Sequence, residues 1–455
     1  MSPRALPPGP RAPAFVNALR YVHDPAGFYP RMRERYGDVF RVSLPDFPAL
    51  VYVADPELVK QLFTGDPRRL HAGEANATIL EPAVGPHSVL VLDDDAHLRE
   101  RKLLLPAFHG RALERYRATI REAAARDVET WPAGQSFALH PHMQAITLEV
   151  ILRAVFGIND PERFAVARRV VGEFGRRSDA LMLPRLLRRD LGRFSPWRKF
   201  TDARDGIDAL LREELRLRRG EGEGTERDDV LALLLRARHE DGSPMTDAAL
   251  RDELVTVVGA GHETTATALT WAMERLVRHP AALDRLRSSL EAGETDYLDA
   301  VIKETLRVRP VLADVARRLT EPMELGGYRL PAGTLVLAVI TALHAREDLY
   351  PDAGAFRPER FLDGVAGGTY TWIPFGGGVR RCLGAAFAQE EMRIVLREIV
   401  LRADLRPADP RDERARMRNV TLAPEHGGRV VLGAPVADRA EPAAVAPARS
   451  AAQTG

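Results

Sequence analysis

Apolar positions recur at helical spacing from about Asp247 to Arg278, with Thr246 placed to cap the start and His279-Pro280 to stop it. The pattern predicts one helix of about 48 Å at 1.5 Å per residue, long enough to cross a whole domain. Its middle is poorly made: Gly259 and Gly261 each cost about 1 kcal/mol against alanine, and Thr264, Thr265 and Thr267 are weak helix formers. Such rule-breaking inside a long helix is expected at a functional site. A second helical stretch, rich in Ala, Glu and Leu, runs from Ala385 to about Val400. Alternation predicts a strand pair near Val39 to Leu44 and Ala49 to Val53, and another hairpin turns at Gly326-Gly327. Helical patterns dominate elsewhere, so the fold class is mainly α with a small β region.

Residues 1–12 are rich in proline and arginine and contain no apolar core of a leader, which argues against a signal peptide or membrane anchor and for a cytoplasmic location. Residues 434–455 are rich in alanine and proline and are expected to be disordered. Between them no linker divides the chain, so 13–433 reads as a single domain. The sharpest break, Arg219-Gly220-Glu221-Gly222-Glu223-Gly224, reads as a surface turn. It is no dinucleotide fingerprint, because no strand precedes it.

The net charge of +1 demands no nucleic acid partner. A single cysteine excludes an internal disulfide and any self-contained iron–sulfur cluster, which takes about four ligands. No flavin or nicotinamide module is visible either, so any electron donor is external.

That one cysteine, Cys382, lies in Phe375-Gly376-Gly377-Gly378-Val379-Arg380-Arg381-Cys382-Leu383-Gly384, immediately before the second helix. A thiolate there gains from the free N–H groups and positive dipole end of the helix, and from two neighbouring arginines. The glycines let the backbone approach whatever the sulfur holds. A lone cysteine is more often a buried apolar residue, but not in such surroundings. Thiolate ligation of haem iron favours O–O cleavage.

Phe375, Gly378, Arg380, Cys382 and Gly384 fit F-x-x-G-x-R-x-C-x-G, and the loop resembles the haem-binding signature of the cytochrome P450 family. Ala260-Gly261-His262-Glu263-Thr264-Thr265, in the middle of the long helix, resembles the family's oxygen-activating segment. The resemblance implies a cytochrome P450 fold and haem b with Cys382 as axial ligand. It implies a groove opened by Ala260, and an acid–alcohol pair in which Thr264 holds water by hydrogen bonds and Glu263 relays protons. The plainer alternative is that the threonine hydroxyls bond back one turn. Glu304-Thr305-Leu306-Arg307, with Arg360 downstream, resembles the family's Glu-Arg-Arg network and is read as structural. His97 and Arg101, four apart, together with Arg380 and with Arg317 or its neighbour Arg318, resemble its propionate ligands, Arg317 being the one read in that role, and arginine forks suit carboxylates.

By the same resemblance the pocket is lined by the loop from Ala72 to Val89, by Thr256, Ala260 and Thr264, and by Val311 to Ala316. These are mostly small or apolar, which favours a hydrophobic small molecule such as a fatty acid, terpene, steroid or polyketide. Asp314 is an exception, read as a turn residue ahead of a substrate contact. The basic stretch Arg176 to Lys199 reads as a solvated helical face, and His140-Pro141-His142 as structural. Arg99, Arg101, Lys102, Arg380 and Arg381 make a basic face around Cys382 that suits an acidic ferredoxin served by a ferredoxin reductase. The expected function is therefore an O2-dependent monooxygenase. A peroxide-driven peroxygenase, an isomerase or a haem-binding sensor is the alternative, and none of these needs the Glu263-Thr264 pair.

Overall fold

The computed structural model describes residues 6–220, 227–362, 364 and 367–433. Helices α1 (Ala14–His23), α2 (Pro25–Tyr36), α3 (Pro56–Thr64), α4 (Ala72–Val84) and α5 (Asp94–Leu104) come first. They are followed by α6 (Arg111–Val128), α7 (Leu139–Phe156), α8 (Pro161–Arg177), α9 (Pro196–Gly220) and α10 (Val230–Arg236). The long α11 (Asp247–Arg278) has the bounds that its signals predict, with Thr246 accepting the Ala249 N–H and the chain leaving at His279. After it come α12 (Pro280–Glu291), α13 (Asp296–Val308), the short α14 (Ile340–His344) and α15 (Ala385–Arg402).

The strands are β1 (Val39–Leu44), β2 (Phe47–Val53), β3 (Leu70–His71), β4 (Ser136–Ala138), β5 (Asp314–Leu319), β6 (Met323–Leu325), β7 (Tyr328–Leu330) and β8 (Leu335–Val339). Near the end lie β9 (Leu405–Pro407), β10 (Ala415–Arg418), β11 (Thr421–Pro424) and β12 (Arg429–Leu432). The largest sheet has the order β1-β2-β8-β5-β3. β6 and β7 form the predicted hairpin, with Gly326 and Gly327 both at positive φ, where a side chain is strained. β2 begins two residues earlier than the alternation suggested, at Phe47.

The central α11 is buried along most of its length and packs on α7 and α15. Gly261 permits the α7 contact, since a Cβ there would lie 2.9 Å from Ile151 Cδ1. Gly259 and Ala260 are the exposed residues in its middle, and a Cβ on Gly259 would meet nothing within 4 Å. The helix therefore opens onto free space at the segment the sequence marks as irregular.

Three sequence expectations are corrected. The stretch 72–89 is not a loop throughout, because Ala72–Val84 is helical. The stretch 176–199 is not a helical face: α8 ends at Arg177, 3₁₀ turns occupy Ser178–Met182 and Arg185–Leu187, and α9 starts only at Pro196. Arg219 and Gly220 belong to α9, and the rest of the expected glycine turn, 221–224, lies outside the described residues. The tail 434–455 lies outside them as well.

Candidate active site

Cys382 sits between a 3₁₀ turn, Gly378–Arg380, and the first turn of α15, with its N–H donating to Phe375 O at 2.9 Å. Its sulfur is accessible to solvent yet enclosed by protein on most sides. Enclosure pushes the thiol up from its ordinary value, while the Gly384 N–H and the cations of Arg101 and Arg381 act in the opposite direction and favour the thiolate.

The glycines of this loop divide into two kinds, which corrects the expectation that all four serve close approach to a ligand. A Cβ on Gly377 would lie 2.2 Å from Phe63 Cδ2, and one on Gly378, at φ +64°, would lie 1.8 Å from Phe63 O. These two let the loop seat on the end of α3. Gly384 has nothing within 4 Å of its Cβ position, and Gly376 only Val315 Cγ1 at 3.9 Å.

His97, Arg101, Arg317 and Arg380 converge beside this loop from α5, β5 and the loop itself. Arg101 Nη2 donates to Arg381 O at 2.7 Å, and Arg317 Nη1 to Ala316 O at 2.8 Å with its guanidinium 5.6 Å from the Phe63 ring centre. Arg380 donates to Val89 O at 3.2 Å and Leu92 O at 2.6 Å, and pairs with Asp93. Burial, with Arg380 and Arg101 and Arg317 nearby, pushes His97 down to about 3, so it is neutral at pH 7. Burial and then Arg380 bring Arg317 down to about 10. Among the described residues Asp93 is the one carboxylate that any of the four bonds. Three guanidinium groups against a single acid, partly withdrawn from water, leave positive charge that calls for further anions. A group carrying two carboxylates, as haem does, fits that need.

On α11, Thr264 Oγ1 donates to Ala260 O at 2.5 Å, the back-bonded geometry of the plainer alternative. Its oxygen keeps free lone pairs. Glu263 points elsewhere: its carboxylate receives Gln144 Nε2 at 2.6 Å, meets His140 Nε2 at 3.2 Å, and lies 3.4 Å from Arg418 Nε. Burial opposes its charge, but His140, Arg418 and Gln144 together hold the carboxyl below the ordinary range. These three partners lie far away in sequence and carry no local signal. His140, which the sequence suggested was merely structural, bonds both Glu263 and Thr270.

Glu304 and Arg307 on α13 are fully buried and joined at 2.7 Å, with Arg360 Nε 3.0 Å from the same carboxylate. Asp314 is not a turn residue: it opens β5, opposite Val339. Val315 and Arg317 on that strand face Gly376 and Phe63, whereas Asp314 meets Tyr29, Tyr21 and Tyr52. Burial pushes its carboxyl up to about 7 against the Tyr29 hydrogen bond. Of the expected basic face, Arg99, Lys102 and Arg381 are exposed, Lys102 paired to Glu240 at 2.7 Å, whereas Arg380 is engaged by Asp93.

A family model described as Cytochrome P450 matches residues 6–430. Two relatives from Mycobacterium tuberculosis (strain ATCC 25618 / H37Rv) span nearly the whole chain. Cytochrome P450 135B1 is 44% identical over 441 residues, 94% of this chain and 92% of that protein. Cytochrome P450 135A1 is 41% identical over 429 residues, 94% and 95% respectively. Among solved structures, retinoic acid bound cyanobacterial CYP120A1 superposes with a TM-score of 0.84 at 25% identity, covering 94% of this chain and 99% of that one. Among the described residues no helix is long and apolar enough to cross a membrane. With its one cysteine on the glycine loop, a cation cluster suited to haem beside it and an open mid-helix groove, the chain belongs to the cytochrome P450 family of haem-thiolate monooxygenases.

Proposed function

We propose that this protein inserts one atom of O2 into a hydrophobic small molecule of fatty acid, terpene, steroid or polyketide type. Its electrons come from NAD(P)H through a separate ferredoxin reductase and ferredoxin in the cytoplasm, and residues 13–433 act as one domain. The observation that carries this reading is the gathering of His97, Arg101, Arg317 and Arg380 around a single carboxylate next to Cys382. The retinoic acid held by the cyanobacterial neighbour supports an apolar substrate.

In this reading the Cys382 thiolate, favoured by the Gly384 N–H, would hold the haem iron, and the loop residues Phe375, Gly378 and Gly384 would shape its surroundings. Thiolate-ligated haem supplies the activation of O2. Arg101, Arg317 and Arg380 would pair with the haem carboxylates, and neutral His97 would offer a ring N–H. Gly259 and Ala260 keep the space over the site clear. Thr264, bonded to Ala260 O, presents lone pairs that orient water, and Glu263, paired with the partly exposed Arg418, relays protons from solvent.

The deciding experiment is the carbon monoxide difference spectrum of the reduced protein, followed by turnover with NAD(P)H, ferredoxin and its reductase. A strongly red-shifted Soret band that Cys382→Ala abolishes, together with donor-dependent product, is expected. A short-wavelength band, or turnover supported only by peroxide, overturns the reading.

A further inference from the structure

Helix α7 stops at Gly157, which takes the left-handed conformation at φ +58°, and α8 and α10 start on the side-chain caps of Asp160 and Asp229. Where these three helix ends meet the first turns of α6 lies a cleft of about 560 Å³, a size that takes a small molecule. It shares no residue with the site around Cys382.

Tyr116 forms part of the cleft wall and is 8% exposed, yet its hydroxyl has no hydrogen-bond partner among the described residues. The ring packs edge-on against Phe387 with centres 5.7 Å apart, which fixes where the hydroxyl stands. Burial pushes the hydroxyl up to about 12, and the charges that act on it are those of Arg115, Asp229 and Asp228, all three in the cleft lining. It is therefore a protonated donor on the cleft side of the ring. A buried donor left unpaired carries a penalty that a ligand accepting its bond removes.

The rest of the lining also offers donors in excess of acceptors. Arg153 bonds Glu149 through Nε at 2.9 Å and Asn159 Oδ1 through Nη1 at 3.1 Å, while its Nη2 and the Asn159 Nδ2 bond nothing among the described residues. Arg115 meets a single carboxylate, Asp228, through Nη1 at 2.7 Å. The other two acids of the lining are engaged as well. Asp229 takes Arg218 Nη1 at 2.8 Å and the Ala232 N–H at 2.9 Å, and Asp160 takes the Arg163 N–H at 2.8 Å. A molecule that fills the cleft must therefore bring acceptors, and guanidinium forks suit an oxyanion. We propose that this cleft binds a small organic oxyanion, a phosphate ester or a carboxylate, with the Tyr116 hydroxyl and the Arg115 and Arg153 guanidinium groups as its donors.

The test is isothermal titration calorimetry of the full-length, haem-loaded protein with glycerol 3-phosphate and, separately, with citrate, against chloride at matched ionic strength. Haem loading keeps the cations beside Cys382 from taking the probe. Saturable binding of at least one probe is expected, with a Kd of about 1 mM or tighter, and the tighter of the two tells phosphate from carboxylate. Tyr116→Phe should weaken it by about tenfold, and Arg153→Gln by at least as much. Because Tyr116→Phe deletes only an unbonded hydroxyl, the melting temperature without probe should not fall. Absence of saturable binding of both probes overturns the proposal. So does binding that Tyr116→Phe leaves unchanged, which would place the anion elsewhere, or a lowered melting temperature in that variant, which would give the hydroxyl a structural partner.

Discussion

Arg307 grips Glu304 at two points, Nε to Oε2 at 2.7 Å and Nη2 to Oε1 at 2.8 Å, in a place where neither side chain reaches water. The remaining valences are filled as well. Glu304 Oε1 accepts the Arg357 N–H and Arg360 Nε, and Arg307 donates to the carbonyl oxygens of His344, Ala353 and Ala355. Removing one partner therefore strands a buried charge, at about 3–5 kcal/mol. Glu304→Ala should lower unfolding free energy by that amount in a denaturant titration. An unchanged midpoint would contradict this account.

Gly378→Ala and Gly384→Ala should behave oppositely. The first places a Cβ against the Phe63 carbonyl at a left-handed backbone position, adding about 1–2 kcal/mol of strain to a clash, and should abolish stable haem loading. The second meets nothing and should retain it. Haem content per polypeptide after purification checks both.

Thr264→Ala removes a hydroxyl from the open side of α11 without disturbing the core, so the fold and carbon monoxide band should persist. Product formed per NAD(P)H consumed should fall by roughly tenfold or more, with hydrogen peroxide taking up the difference. Unaltered coupling would remove Thr264 from the proton path.

Glu263 is held as a carboxylate by groups from two other elements, against the effect of burial. Deleting His140 leaves burial less opposed, so the carboxyl rises. In His140→Ala the acidic limb of coupled turnover should move to higher pH. A profile superimposable on the parent's would show that Glu263 does not carry the proton.

Asp314 reaches about 7 because burial among Tyr21, Tyr29 and Tyr52 penalises its charge. A carboxyl raised on folding contributes stability that is complete below its unfolded value, near 3.8, and is lost as pH rises through about 7. Asp314→Asn should therefore match the parent near pH 4 and exceed it by a few kcal/mol above pH 8. Parallel stability curves across that range would show that Asp314 titrates normally.

What could be read from the chain depended on how local the determinant was. The limits of α11 are written in its own ends, by Thr246 and by His279 before Pro280, and the sequence yields them directly. The hairpin at Gly326-Gly327 is equally local. The partners of Glu263, by contrast, come from α7 and β10 at separations above a hundred residues, and periodicity says nothing of them. The role of Gly377 and Gly378 depends on Phe63, which the loop's own sequence does not mention. The stretch 176–199 misled because its charges imitate a wet helix, whereas Pro184 and Gly192 divide it and Leu186, Leu187 and Leu191 face solvent.

Gly259 carries a consequence for evolution in the laboratory. A methyl there would touch nothing, and alanine is the better helix former by about 1 kcal/mol. A selection for heat resistance alone should thus accumulate Gly259→Ala, toughening the spine of the molecule while filling the open space beside Ala260. On the proposed function, durability and turnover pull against each other at that single position.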